Sequence, residues 1–73
     1  MKFKKLLDAL SLTQPIFVTT WHEGNLVDNF KVNQFPSFDE RCKALGEAKV
    51  HFHGIHASKL ETLVGYLFID LEV

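Results

Sequence analysis

Three of the four histidines in this chain fall inside the run Val50-His51-Phe52-His53-Gly54-Ile55-His56. Neutral imidazole is a zinc ligand, so their spacing is the first chemical question. The run alternates as a half-buried strand does, with Val50 and Phe52 on one face and His51 and His53 on the other. Two imidazoles two residues apart on one strand face can meet a common ion. His56 falls on the Val50/Phe52 face of a regular strand, and a bulge at Gly54 would swing it round to join them. Cys42 is the candidate for the fourth ligand, because thiolate is a favoured zinc donor. His22 is the alternate, and Glu23 or Asp39 could supply a carboxylate oxygen. Four protein ligands close the coordination sphere, so the zinc expected here is structural. The competing reading is a solvated strand face that happens to carry histidines. Cys42 has a competing reading too, as a small buried hydrophobe on an apolar helix face, and the residue pattern favours it.

No catalytic constellation accompanies this cluster. A nucleophilic cysteine needs an exposed, polarised setting and an oxyanion site, and a helix-face Cys42 supplies neither. A catalytic zinc would need an open coordination position in a cleft, for which a chain this short has little room. The expectation is a protein that is not an enzyme. Among the large aromatics, Trp21 is expected in the core and Tyr66 near the surface. Phe35, before Pro36 at a turn, is expected to be exposed, as interface anchors are.

The elements that must position these residues come from a chain of 73 residues, expected to form a single domain over 1–73. Hydrophobic residues make up 47% and include seven Phe, enough for a core. The chain is still near the size at which a core alone gives thin stability. A single cysteine excludes an intramolecular disulfide, which leaves metal, oligomerisation or an unaided core. The net charge of −1, with basic and acidic residues mixed, lacks the basic stripe of a general nucleic-acid binder. Met1-Lys2-Phe3-Lys4-Lys5 followed by Leu6 and Leu7 has the look of a secretion signal. Asp8 interrupts the apolar run and no small-residue cleavage site follows, so that reading is rejected. No stretch is long enough to span a membrane. One unpaired cysteine fits a reducing cytoplasm.

Phe3, Leu6, Leu7 and Leu10 share one helical face, which predicts a helix over residues 2–11, ending before Pro15. Ile16 to His22 is β-branched and aromatic and predicts a strand. Gly24-Asn25 signals a two-residue hairpin turn. The return strand is expected from Leu26 to Gln34, with Leu26, Phe30 and Val32 on one face and Asp28 breaking the pattern. Ser37 and Glu40 form a Ser-x-x-Glu capping box, which predicts a helix to Leu45 that buries Phe38, Cys42 and Leu45, with Gly46 as its C-cap. Lys49 to His56 is the histidine strand, Ala57 to Thr62 a connection, and Leu63 to Val73 the last strand. In that strand Leu67, Ile69 and Leu71 oppose Phe68, Asp70 and Glu72. The order α-β-β-α-β-β predicts an α+β domain: a four-stranded, mostly antiparallel sheet with the helices on one face.

The Lys/Leu-rich N-terminal helix, Lys4-Lys5-Leu6-Leu7, the short strands after it, and the apolar-acidic final strand, Leu67-Phe68-Ile69-Asp70-Leu71-Glu72, resemble small phage or prophage proteins of Gram-positive bacteria. Among these the chain resembles the anti-CRISPR proteins that inhibit Cas9, in size, element order and composition. The resemblance implies direct, non-catalytic binding to a host effector, Cas9 first among candidates, in the bacterial cytoplasm. With no stretch long enough to span a membrane and no basic stripe, neither a membrane nor sequence-specific nucleic acid is expected as a direct partner. The resemblance carries no residue-level motif, so no functional residue transfers by position. The alternative expectation is a small metal-binding or nucleic-acid-associated accessory protein.

Overall fold

A computed structural model describes residues 1–55 and 65–73. The first helix, α1, covers Phe3–Ala9, and buries Phe3, Leu6 and Leu7 as the spacing requires. It is shorter than expected because Leu10 already has extended backbone. Strand β1 covers Ile16–His22 and β2 covers Asn25–Val32. The turn between them is Glu23-Gly24, one residue earlier than expected, with φ of +50° and +81°. Both central residues of a type I′ turn need positive φ, and that turn matches the twist of the flanking strands.

Pro36–Phe38 forms one 3-10 turn, and α2 follows at Glu40–Ala44. The expected capping box does not form. Asp39 is the N-cap, and its Oδ1 accepts from the Arg41 amide at 2.9 Å and the Cys42 amide at 3.1 Å. Asp39 has extended backbone between the two short elements, so Ser37 belongs to the turn before the helix. Phe38 is carried outward with that turn and is 64% exposed, not buried. Cys42 and Leu45 do pack against the core.

Strand β3 covers Lys49–Ile55 and β4 covers Leu67–Glu72. The sheet order is β2-β1-β4-β3. Two antiparallel pairs, β1 with β2 and β3 with β4, are joined by a parallel pairing of β1 with β4. The fold is α+β with a mixed open sheet. Beyond β3 the N-terminus adds an isolated bridge from Lys2 to Lys49, so five chain segments take part where four were expected. Phe3 N–H donates to Ala48 O at 2.8 Å and Val50 N–H to Met1 O at 2.8 Å. Glu47 lies between Lys2 and Lys4, 2.6 Å from each ammonium, and offsets the repulsion where basic residues meet.

Both helices cover the same face of the sheet. Phe3, Leu6 and Leu7 of α1 and Cys42 of α2 form one buried cluster with Ile16, Val18, Phe30, Val32, Ile69 and Leu71. Alternation along β1 and β4 then turns Phe17, Thr19, Trp21, Phe68, Asp70 and Glu72 to the other face, where no described helix lies. No helix among the described residues is long and apolar enough to cross a membrane.

Candidate protein interface

The open face is built on the central parallel pair. Phe17 stands beside Phe68 in register, with ring centroids 5.4 Å apart. Trp21 stands beside Glu72 and Thr19 beside Asp70. Trp21 is half-buried on this face and is not part of the buried cluster, contrary to expectation. Strand β1 places it there because Ile16, Val18 and Thr20 already occupy the covered side.

Trp21, Gly24, His51, Asp70 and Glu72 line a cleft of about 340 Å³ at the end of this face. Gly24 gives room at its rim, since nothing stands within 4 Å of where its Cβ would be. The Glu72 carboxylate accepts from the Glu23 amide at 3.3 Å, which ties the last strand to the hairpin turn. The His22 ring Nδ1–H donates to the Val73 main-chain oxygen at 2.6 Å and holds the same corner. An indole wall with carboxylates beside it suits a cationic side chain: the ring face attracts the cation and the carboxylates pair with it.

The histidine strand does contain a bulge, but not at Gly54. Val50 pairs with Leu71 and Phe52 with Asp70, so His51 is the inserted residue. A bulge resets the alternation after it. His51 joins the open face and lines the cleft, while His53 pairs with Ile69, a residue of the covered face. The expected shared face of His51 and His53 is therefore corrected. Its premise was unbroken alternation, and the insertion falls between the two residues. His56 lies outside the described residues, as do the expected connection at 57–62 and the start of the last strand at Leu63.

Cys42 is fully buried in the cluster on the far side of the sheet from His51. Burial pushes its thiol up to about 12, with the Asp39 carboxylate adding to the shift. His22 is exposed at the end of β1 and Asp39 is committed to capping α2. Among the described residues, no three His, Cys, Asp or Glu side chains gather into a group that could hold a metal ion.

Asp70 and Glu72 were visible in the sequence as the polar side of the last strand, yet nothing there marked them as part of a site. Only the parallel pairing of β4 with β1 brings them to Trp21. Other exposed aromatics lie elsewhere. Phe35 is 44% exposed, as expected at its turn, and has a left-handed φ of +56°. Tyr66 is half-buried, and its hydroxyl donates to Asn33 Oδ1. No family model matches this chain, and neither the curated proteins nor the solved structures contain a match to it.

Proposed function

We propose that this protein is a stoichiometric, non-catalytic inhibitor that engages a protein partner with the open face of its sheet. The partner is a host defence nuclease, with Cas9 first, as the resemblance in size, element order and composition implies. The observation that supports the reading is the cleft at the end of the open face, where Trp21 stands with Asp70 and Glu72. A protein that holds nucleic acid does so with lysines and arginines. Such side chains complement this cleft, while a phosphate backbone is repelled by its carboxylates. The same chemistry disfavours the reading as a nucleic-acid-associated accessory protein.

The test titrates purified Cas9–guide complex with the protein and reads DNA cleavage. Inhibition saturates at stoichiometric equivalence and is lost in the Trp21→Ala, Asp70→Lys double variant, whose circular dichroism is unchanged. Undiminished cleavage at a large excess of protein overturns the choice of partner. Inhibition that persists at catalytic amounts of protein overturns the stoichiometric mechanism.

A further inference from the structure

The two edges of the sheet are not alike. The N-terminus covers the Lys49–Val50 end of the β3 edge, through Val50 N–H to Met1 O and the Lys2–Lys49 bridge. The β2 edge carries no further strand among the described residues. Which of its main-chain groups face outward follows from β1. Leu67 N–H donates to Pro15 O at 2.9 Å and Val73 N–H to Trp21 O at 2.8 Å, so the odd-numbered residues there address β4. The even residues Ile16, Val18 and Thr20 then address β2, through Val32, Phe30 and Asp28. Alternation along β2 leaves the main-chain groups of Asn29 and Lys31 pointing away from the sheet.

We infer that this edge pairs with the β2 edge of a second copy, antiparallel about a twofold axis at Phe30. That register sets Asn29 opposite Lys31 of the second copy and Lys31 opposite its Asn29. Such pairs exchange both hydrogen bonds, so all the outward groups of these residues are satisfied at once. No like charges stand directly opposite each other along the shared edge.

The exposed apolar residues supply the second argument for a self-complementary occupant. Leu26 and Val27, at the start of β2, are 56% and 57% exposed, and Phe35, just past its end, is 44% exposed. Antiparallel pairing brings the start of one β2 to the end of the other. Leu26 and Val27 of each copy then approach Phe35 of its mate, twice by symmetry. A bulge at Val27, where Thr20 pairs with Asp28 and Trp21 with Leu26, puts Leu26 on the open face. Because the contact is twofold and both copies use the same edge, pairing ends at two copies and does not propagate into a fibre.

The edge also carries a brake. The Asp28 carboxylate accepts from the Asn29 amide at 2.8 Å and must release it for the second copy to dock. Removing that competitor tightens association.

Analytical ultracentrifugation of the full chain, with amide exchange by NMR over a concentration series, tests the inference. A reversible dimer is expected, with exchange at the Lys31 amide slowing as concentration rises. Lys31→Pro removes only an outward donor and spares the ladder with β1, so it gives a folded monomer. Asp28→Ala lowers the dimer dissociation constant, and Leu26→Ser with Phe35→Ser raises it by roughly tenfold or more. A chain that stays monomeric at NMR concentrations overturns the inference. So does a dimer that forms while the Lys31 amide exchanges at its monomer rate, whether or not the proline variant folds.

Discussion

The two faces of the sheet use the same strands to opposite ends. On the covered face Ile16, Val18, Ile69 and Leu71 are fully buried. On the open face their immediate neighbours Phe17, Phe68, Asp70 and Glu72 are half-buried. Polar and aromatic side chains can persist there because water reaches them, whereas an unpaired carboxylate among Phe3, Cys42 and Leu71 would be costly. The covered face therefore holds the folding energy and the open face is free to carry recognition. Asp70 and Ile69 are adjacent in sequence and differ only in which side of one strand they occupy.

Neighbouring substitutions give the strongest test of that division. Ile69→Ala is expected to cost about 3 kcal/mol, from lost burial and the cavity left between strand and helices. Phe68→Ala, one residue earlier, should cost about 1 kcal/mol, since its ring is covered only in part. Urea denaturation reads both, and equal losses would mean that the open face is packed like the other.

The cover itself can be weakened at its shorter helix. Asp39→Ala removes the acceptor for the Arg41 and Cys42 amides and should cost about 1 kcal/mol. Ser37→Ala should stay within about 0.5 kcal/mol, because the serine caps nothing in α2. The opposite ranking would restore the capping box at Ser37.

The pH responses separate interior from surface. The folded Cys42 pKa is raised from 9.0 to about 12, so the protein binds the thiol proton more tightly than the unfolded chain. Stability from this group is full below pH 9 and is lost as pH rises toward 12. Thiol alkylation should consequently stay slow at mildly alkaline pH and follow unfolding. Glu47 has the opposite sign. Hydrogen bonds from Lys2 and Lys4 lower it from 4.5 to about 2. Its contribution is present above pH 4.5 and fades as pH falls toward 2, and a carboxyl NMR titration with an ordinary midpoint would contradict the paired geometry.

The histidines give the smallest effect and test the bulge directly. His51→Ala and His53→Ala should each leave stability within about 0.5 kcal/mol, as both side chains are exposed. In a zinc titration monitored by calorimetry, opposite faces allow at most one of the two to weaken binding. Equal losses from both would place them at one ion and remove the insertion at His51.

What the amino-acid order determined by itself was local. The face of α1, the extent of β1, the two-sided character of the last strand and the α+β class all follow from apolar spacing and turn residues, which act over a few neighbours. The tertiary structure decided everything that depends on distant segments. A bulge is an insertion relative to a partner strand, so the strand's own pattern cannot place it: His51 and Val27 became the inserted residues only once β4 and β1 lay beside them. Phe38 is exposed, not buried, because it belongs to a turn before the helix and not to the helix itself. The cleft needed β1 and β4, separated by more than forty residues in the chain, to pair in parallel. Local preference sets which elements form, while pairing and burial across the fold set which of their faces meet.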